Sequence, residues 1–213
     1  MQTPNAMRNL SDLGYGRTPI QCRPGSVEIS AAMDRNAGKP GSFYHYFNTT
    51  NLLMKIYLAG PDVFRPDALT WAETTRTLLA RHGHQALIPL DNDETTPEGI
   101  FKANLGLITE ADAMIANLNP FRGLEPDSGT CFEVGCAIAL GKRVIGYVSD
   151  ARPQLDKLAE HFGGSLALSN GRPVDPNGLF IENFGLPVNL MLGISCEIVE
   201  GGLERSLRVL AKA

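Results

Sequence analysis

Lys55-Ile56-Tyr57-Leu58-Ala59-Gly60-Pro61 is a short, almost continuously apolar run that stops on Gly-Pro, the pattern of a buried strand closed by a turn. Working outward, residues 67–81 carry a helical spacing that stops at Gly83, residues 85–90 form a second strand, and residues 97–110 a second helix with Ile100, Leu105 and Ile108 as apolar positions. A third strand is expected over 112–118, a helix over 128–140 stopped by Gly141, and a fourth strand over 143–148. Strands alternating with helices call for a parallel sheet in a doubly wound α/β domain. Beyond Ser149 the pattern weakens: a helix over 154–161, a Gly/Asn/Pro-rich loop over 163–177, a short strand near 196–199 and a final helix over 202–210. In open sheets of this kind ligands bind beyond the carboxyl ends of the strands. Gly60-Pro61-Asp62, residues 119–127 and the helix mouth at Ser128 all fall on that edge.

Composition narrows the function. The 213 residues suffice for one domain with a real core and leave about fifty at the front. A net charge of −4 and a pI near 5.6 argue against a nucleic-acid or membrane surface carried by bulk electrostatics. No apolar run approaches a transmembrane span, and the N-terminus has no secretory apolar region, so a soluble cytoplasmic protein is expected. Cys22, Cys131, Cys136 and Cys196 lack C-x-x-C or His-Cys spacing and are read as small buried or half-buried residues. His45, His82, His84 and His161 lack metal spacing too, and His82-Gly83-His84 reads as a solvated helix end. Neither a metal nor a cofactor is expected.

Chemistry concentrates in Glu125-Pro126-Asp127-Ser128-Gly129-Thr130-Cys131-Phe132-Glu133-Val134-Gly135. A turn-forming stretch opens a small-residue helix whose first turns carry Glu133, and Asp127 lies in the loop before it. A ligand at the helix mouth meets both carboxylates and the unpaired N–H donors of the helix start. Such a pair suits carbohydrate chemistry. Asp and Ser are also ordinary helix caps, and a Glu in the first turns is favoured by the helix dipole; taken alone, the segment leaves both readings open.

Taken together, Tyr57-Leu58-Ala59-Gly60-Pro61, residues 112–118, Pro120-Phe121-Arg122-Gly123, residues 125–130, Phe132-Glu133-Val134-Gly135 and Asn189-Leu190-Met191 closely resemble the nucleoside 2-deoxyribosyltransferases, in family order from about Met54 to the C-terminus. The resemblance implies a flavodoxin-like sheet of about five strands with helices on both faces, and transfer of 2-deoxyribose between nucleobases. It also implies deoxynucleosides and free nucleobases as ligands, and a homo-oligomer whose sites are completed by a neighbouring subunit. Glu133 matches the family nucleophile, which attacks the sugar and holds it as an ester. Tyr57 matches the tyrosine that aims it, although a strand tyrosine also serves simply to fill a core. Asp112 is the first candidate for the acid that protonates the departing base, and is equally an ordinary strand-start residue. Asp127 matches the position that grips the sugar hydroxyls. Gly60 and Gly129 belong to the same sugar-side motifs, Phe64 and Phe121 offer stacking faces or mere packing, and Asn189 and Met191 match the segment that reaches into the next subunit. Asn117 departs from the carboxylate that relatives often carry, which leaves base preference open.

Two rivals remain. An N-glycoside hydrolase of deoxynucleoside 5′-monophosphates needs the same Tyr and Glu plus a phosphate pocket, for which Arg122 and Ser128 are available. Gly129-Thr130-Cys131-Phe132-Glu133 is similar to an element of the cytokinin-activating phosphoribohydrolases, without their preceding double glycine. A catalytically silent nucleotide sensor is the alternative outside enzymes, and retention of Tyr57, Asp112, Asp127 and Glu133 together speaks against it. Residues 1–53 form a separate extension, expected to be poorly structured or partly helical. Gly41-Ser42-Phe43-Tyr44-His45-Tyr46-Phe47 resembles the recognition-helix end of a TetR-type helix-turn-helix, but a convincing first helix is missing. The segment is read as a remnant, an overlong translation start or a mobile extension, ahead of a catalytic domain over 54–213.

Overall fold

The computed structural model describes residues 53–212; the expectations for residues 1–52, Cys22 and the helix-turn-helix-like stretch included, lie outside them. Five strands form one parallel sheet: β1 (Lys55–Ala59), β2 (Gln85–Leu87), β3 (Ala113–Asn117), β4 (Arg143–Val148) and, last in the chain, Glu197–Glu200. Two short strands precede that last one, β5 (Ala167–Ser169) and β6 (Arg172–Val174), so it is β7. The order across the sheet is β2-β1-β3-β4-β7, with Tyr57 opposite Leu87 on one side and Met114 on the other. This is the flavodoxin-like arrangement, and its strand order reverses between β1 and β3, where a crevice opens at the carboxyl edge.

The strands are apolar without alternation because helices cover both faces. Ile56 and Leu58 of β1 pack with Ala72 and Leu79 of α1 (Ala68–Arg81) and Leu207 and Leu210 of α6 (Leu203–Leu210). Tyr57 and Ala59 point the other way, toward Ile108 of α2 (Pro97–Glu110), Val134 and Ala137 of α3 (Ser128–Ala139) and Leu192 of α5 (Leu190–Ser195). Each fully buried Val, Leu or Ile side chain on these faces contributes about 1.5–3 kcal/mol. The period-two alternation of β1 therefore aims Tyr57 at the face that carries α3.

The remaining elements lie outside the sheet. Helix α4 spans Gln154–His161 as its pattern predicts. Three details differ from expectation. The second strand ends at Leu87, because the Asp91 carboxylate accepts from the N–H of Ile88 (2.8 Å) and the Asp91 N–H donates to the Ile88 carbonyl (2.8 Å), closing a turn. The loop over 163–177 contains the antiparallel pair β5–β6, whose three-residue strands are too short to show a period. His84 is buried, unlike a solvated helix end: its Nδ1 accepts from the Met54 N–H at 3.4 Å. Among the described residues no helix is long and apolar enough to cross a membrane, and no group of three or more His, Cys, Asp or Glu side chains is gathered as metal ligands would be.

Candidate active site

Helix α3 begins as a cap. Asp127 Oδ2 accepts from the Thr130 N–H (2.8 Å) and the Thr130 hydroxyl (3.0 Å), which fixes the loop and satisfies a helix-start donor. The cap is therefore formed, and since the same carboxylate lines the cleft described below, capping does not exclude a role toward a ligand. Glu133 follows on the sheet-facing side of α3, above the fully buried Tyr57. The Tyr57 hydroxyl donates to Glu133 Oε1 at 2.7 Å. Burial pushes the Glu133 carboxyl up from its usual 4.5 to about 7, with Asp127 adding to the rise and the Tyr57 hydrogen bond opposing it. The Tyr57 hydroxyl is pushed well above its ordinary value by burial and then by the Glu133 charge, so it stays a proton donor.

A cleft of about 570 Å³ opens over this pair, lined by Gly60, Phe64, Asn104, Asp127, Gly129 and Glu133 among others. Its size is that of a small-molecule site. Gly60 must be a glycine: a Cβ there would lie 2.8 Å from the Asn117 Cβ. Phe64 is 57% exposed and stacks on Phe121 with ring centroids 5.4 Å apart and planes 16° apart. The Arg122 guanidinium lies over both rings, 4.7 Å from Phe121 and 5.4 Å from Phe64. Phe121 therefore backs Phe64 from outside the cleft. Carboxylates of Glu94, Asp127 and Glu133 line the cleft, and among the described residues no Lys, Arg or His does.

Asp112 is not brought to this site. It lies at the amino edge of the sheet, where Oδ2 accepts from the Lys55 N–H (2.7 Å) and its own N–H donates to the Lys55 carbonyl (2.8 Å). All strands run the same way, so a strand-start residue sits a full strand, roughly 15 Å at 3.3 Å per residue, from the carboxyl edge. Asn189 and Met191 also stay outside the Glu133 cleft within one chain. Asn189 caps α5, its Oδ1 accepting from the Met191 N–H (2.9 Å) while its Nδ2 donates to Glu182 (2.9 Å). Met191 is 71% exposed in a separate groove of about 520 Å³ behind α3.

Sequence reasoning misses Asn104. It lies on α2 between Ile100 and Ile108, one turn from each, so it is a polar residue set into an apolar row; that interruption is the available signal. Its Oδ1 is buried, has no hydrogen-bond partner among the described residues, and belongs to a side chain that lines the cleft. An unpaired buried acceptor costs about 1–3 kcal/mol, and a ligand N–H relieves that cost.

The nucleoside 2-deoxyribosyltransferase family model matches residues 56–191. Among solved structures, a 2-desoxiribosyltransferase from Leishmania mexicana is 38% identical, with a TM-score of 0.62, covering 74% of this chain and 97% of that one. A 2-deoxyribosyltransferase from Bacillus psychrosaccharolyticus is 27% identical at a TM-score of 0.36, covering 44% of this chain and 72% of that one. An uncharacterized protein of Schizosaccharomyces pombe is 28% identical over 64% of this chain and 74% of its own length.

Proposed function

The chain belongs to the nucleoside 2-deoxyribosyltransferase family, and from that premise we propose that it moves 2-deoxyribose from one nucleobase to another through an ester on Glu133. In the first displacement a Glu133 oxygen bonds to C1′, the C1′–N bond breaks, and its electron pair leaves with the base, which takes up a proton. In the second, a nitrogen of the incoming base attacks C1′ from the vacated face, releases the Glu133 carboxylate and loses its proton, so configuration is retained. The Tyr57 hydroxyl occupies Oε1 and leaves Oε2 as the attacking oxygen. With Asp112 at the far edge, the carboxyl groups that line the cleft beside Glu133, among the described residues, are Asp127 and Glu94. The Asp127 oxygen that does not hold Thr130 serves the sugar hydroxyls, and Asn104 Oδ1 accepts from the substrate.

The observation that carries this reading is the 2.7 Å Tyr57–Glu133 hydrogen bond at the floor of a ligand-sized cleft that Glu133 lines. The absence of cationic side chains from the cleft lining, among the described residues, disfavours the 5′-monophosphate hydrolase, since a phosphate beside three carboxylates is repelled. Exposed Met191 and the apolar groove next to it fit a homo-oligomer in which one copy's 189–191 segment completes its neighbour's site, in a soluble cytoplasmic enzyme. Incubation of deoxyinosine with adenine, followed by chromatography, tests the function. Deoxyadenosine marks the transferase, free deoxyribose alone a hydrolase, and no turnover a silent sensor.

A further inference from the structure

At the carboxyl edge, a line of polar side chains runs across three strands beneath the cleft. Asp62 follows β1 in the 3₁₀ turn Pro61–Phe64, and its Oδ2 accepts from Asn117 Nδ2 at 2.8 Å. Asn117 Oδ1, at the end of β3, accepts from the Asn119 backbone N–H (3.2 Å) and from Asn119 Nδ2 (2.7 Å). Asn119 Oδ1 accepts in turn from the N–H of Ser149, just past β4 (2.7 Å). The line has one polarity, with donors and acceptors matched at every link. An amide at position 117 donates toward Asp62 and accepts from Asn119 at once, which a carboxylate in the same place does not.

The turn held by these bonds carries cleft wall. Gly60, Val63 and Phe64 line the cleft, whereas Asp62, Asn117 and Asn119 do not. Gly60 permits the close approach, because any Cβ there would meet Asn117. From outside, Phe64 is held by its stack on Phe121 and by the Arg122 guanidinium. The nucleophile is fixed separately, through Tyr57 and α3.

We propose that Asn117 is a positioning residue: through Asp62 it sets the height of the Pro61–Phe64 turn and thereby the substrate affinity of the Phe64 wall, without acting on the chemical step. This rests on the transferase reading of the cleft. Asn117→Asp is nearly isosteric but removes the donor and sets two carboxylates against each other at the observed 2.8 Å separation, which drives the turn outward. Exchanging the partners, Asp62→Asn with Asn117→Asp, restores every hydrogen bond of the line with donor and acceptor reversed between the two positions, since the new carboxylate at position 117 accepts from both sides; it gives up only the long 3.9 Å Arg65–Asp62 ion pair.

The test is steady-state base exchange and thermal unfolding of the full chain for wild type, Asn117→Asp and the exchanged double variant at pH 8. The single variant should raise KM about tenfold while kcat changes less than about twofold, the signature of lost binding rather than lost transition-state contact, and its Tm should fall. The double variant should recover both KM and Tm, an interaction that a double-mutant cycle reads directly. A single variant with wild-type KM, a loss confined to kcat, or a double variant no better than the single overturns the proposal. If wild type does not exchange bases, the transferase reading fails; the hold on the turn is then read from the Tm pattern, and Tm values that do not recover in the double variant overturn it independently.

Discussion

At the carboxyl edge of the sheet Glu133 is half-buried, bonded to Tyr57 and raised to about 7; at the amino edge Asp112 is exposed and engages the Lys55 N–H with its carboxylate. Both acids border the same strands. What separates them is surroundings: Glu133 is desolvated beneath an open cleft, while Asp112 keeps water and closes a backbone donor, with the Lys55–Glu110 ion pair beside it on the surface. A perturbed carboxyl in a ligand-sized cleft is a candidate for chemistry, and one that closes a backbone donor at a strand start already has a structural use.

Mutating each acid is the harshest test of that contrast. Glu133→Ala should lose at least ~10²-fold in kcat while folding normally. Asp112→Ala should leave kcat within about twofold and instead lower stability by about 1 kcal/mol, the worth of one hydrogen bond. Equal losses of kcat from both would erase the distinction between the edges.

The pH profile sharpens it next. Under the proposed mechanism Glu133 attacks as a carboxylate, and burial raises that carboxyl to about 7, so exchange should fall as pH drops through 7 rather than through the ordinary range near 4.5. Tyr57→Phe removes the hydrogen bond that opposes the rise. The midpoint should then move upward and the rate at pH 8 fall by about tenfold. A wild-type midpoint below about 5 would mean that Glu133 is not desolvated.

Stability carries the same signature with the opposite sign of benefit. A carboxyl raised from 4.5 to about 7 on folding is tolerated while protonated, below about 4.5. Its penalty grows as pH rises through that window and is complete above 7. Glu133→Gln should therefore be more stable than wild type at pH 8, by about 2 kcal/mol after allowance for the retained partner. The gain should vanish near pH 4, and equal denaturant midpoints at both pH values would contradict it.

How much of this is legible in the sequence follows from where the signals are strong. The strands β1, β3 and β4 and the helix α3 announce themselves through apolar runs, β1 closed by Gly60-Pro61 and α3 by Gly141, whereas α4 carries a weaker pattern after Pro153. The Asp127–Glu133 spacing places a cap and a second carboxylate at one helix mouth. The β5–β6 pair and the six-residue α5 are shorter than the periods that would reveal them, and β5, exposed along its length, carries no alternation. Resemblance assigns Asp112 to the base, although its place at a strand start already puts it on the amino edge of a parallel sheet. Asn104 is hidden as one amide in an apolar row, visible only once α2 is seen to face the cleft.

The smallest effect is expected from the chain ahead of the sheet. Tyr57 and, among the described residues, every cleft residue lie after Met54, so a chain beginning at Met54 should exchange bases within about twofold of the full-length rate, and full-length protein should show no sequence-specific DNA binding at physiological salt. Loss of soluble, active protein on that truncation would place part of the working domain before residue 54.

The central claim, that Glu133 and not an edge carboxylate such as Asp112 bonds to the sugar, is read most directly by mass spectrometry of protein quenched in acid during turnover of deoxyinosine without acceptor base. The expected result is one deoxyribosyl group on the peptide containing Glu133, absent from Glu133→Ala and present in Asp112→Ala. A deoxyribosyl group on any other peptide, or none in a wild-type enzyme that forms deoxyadenosine when adenine is supplied, would contradict it.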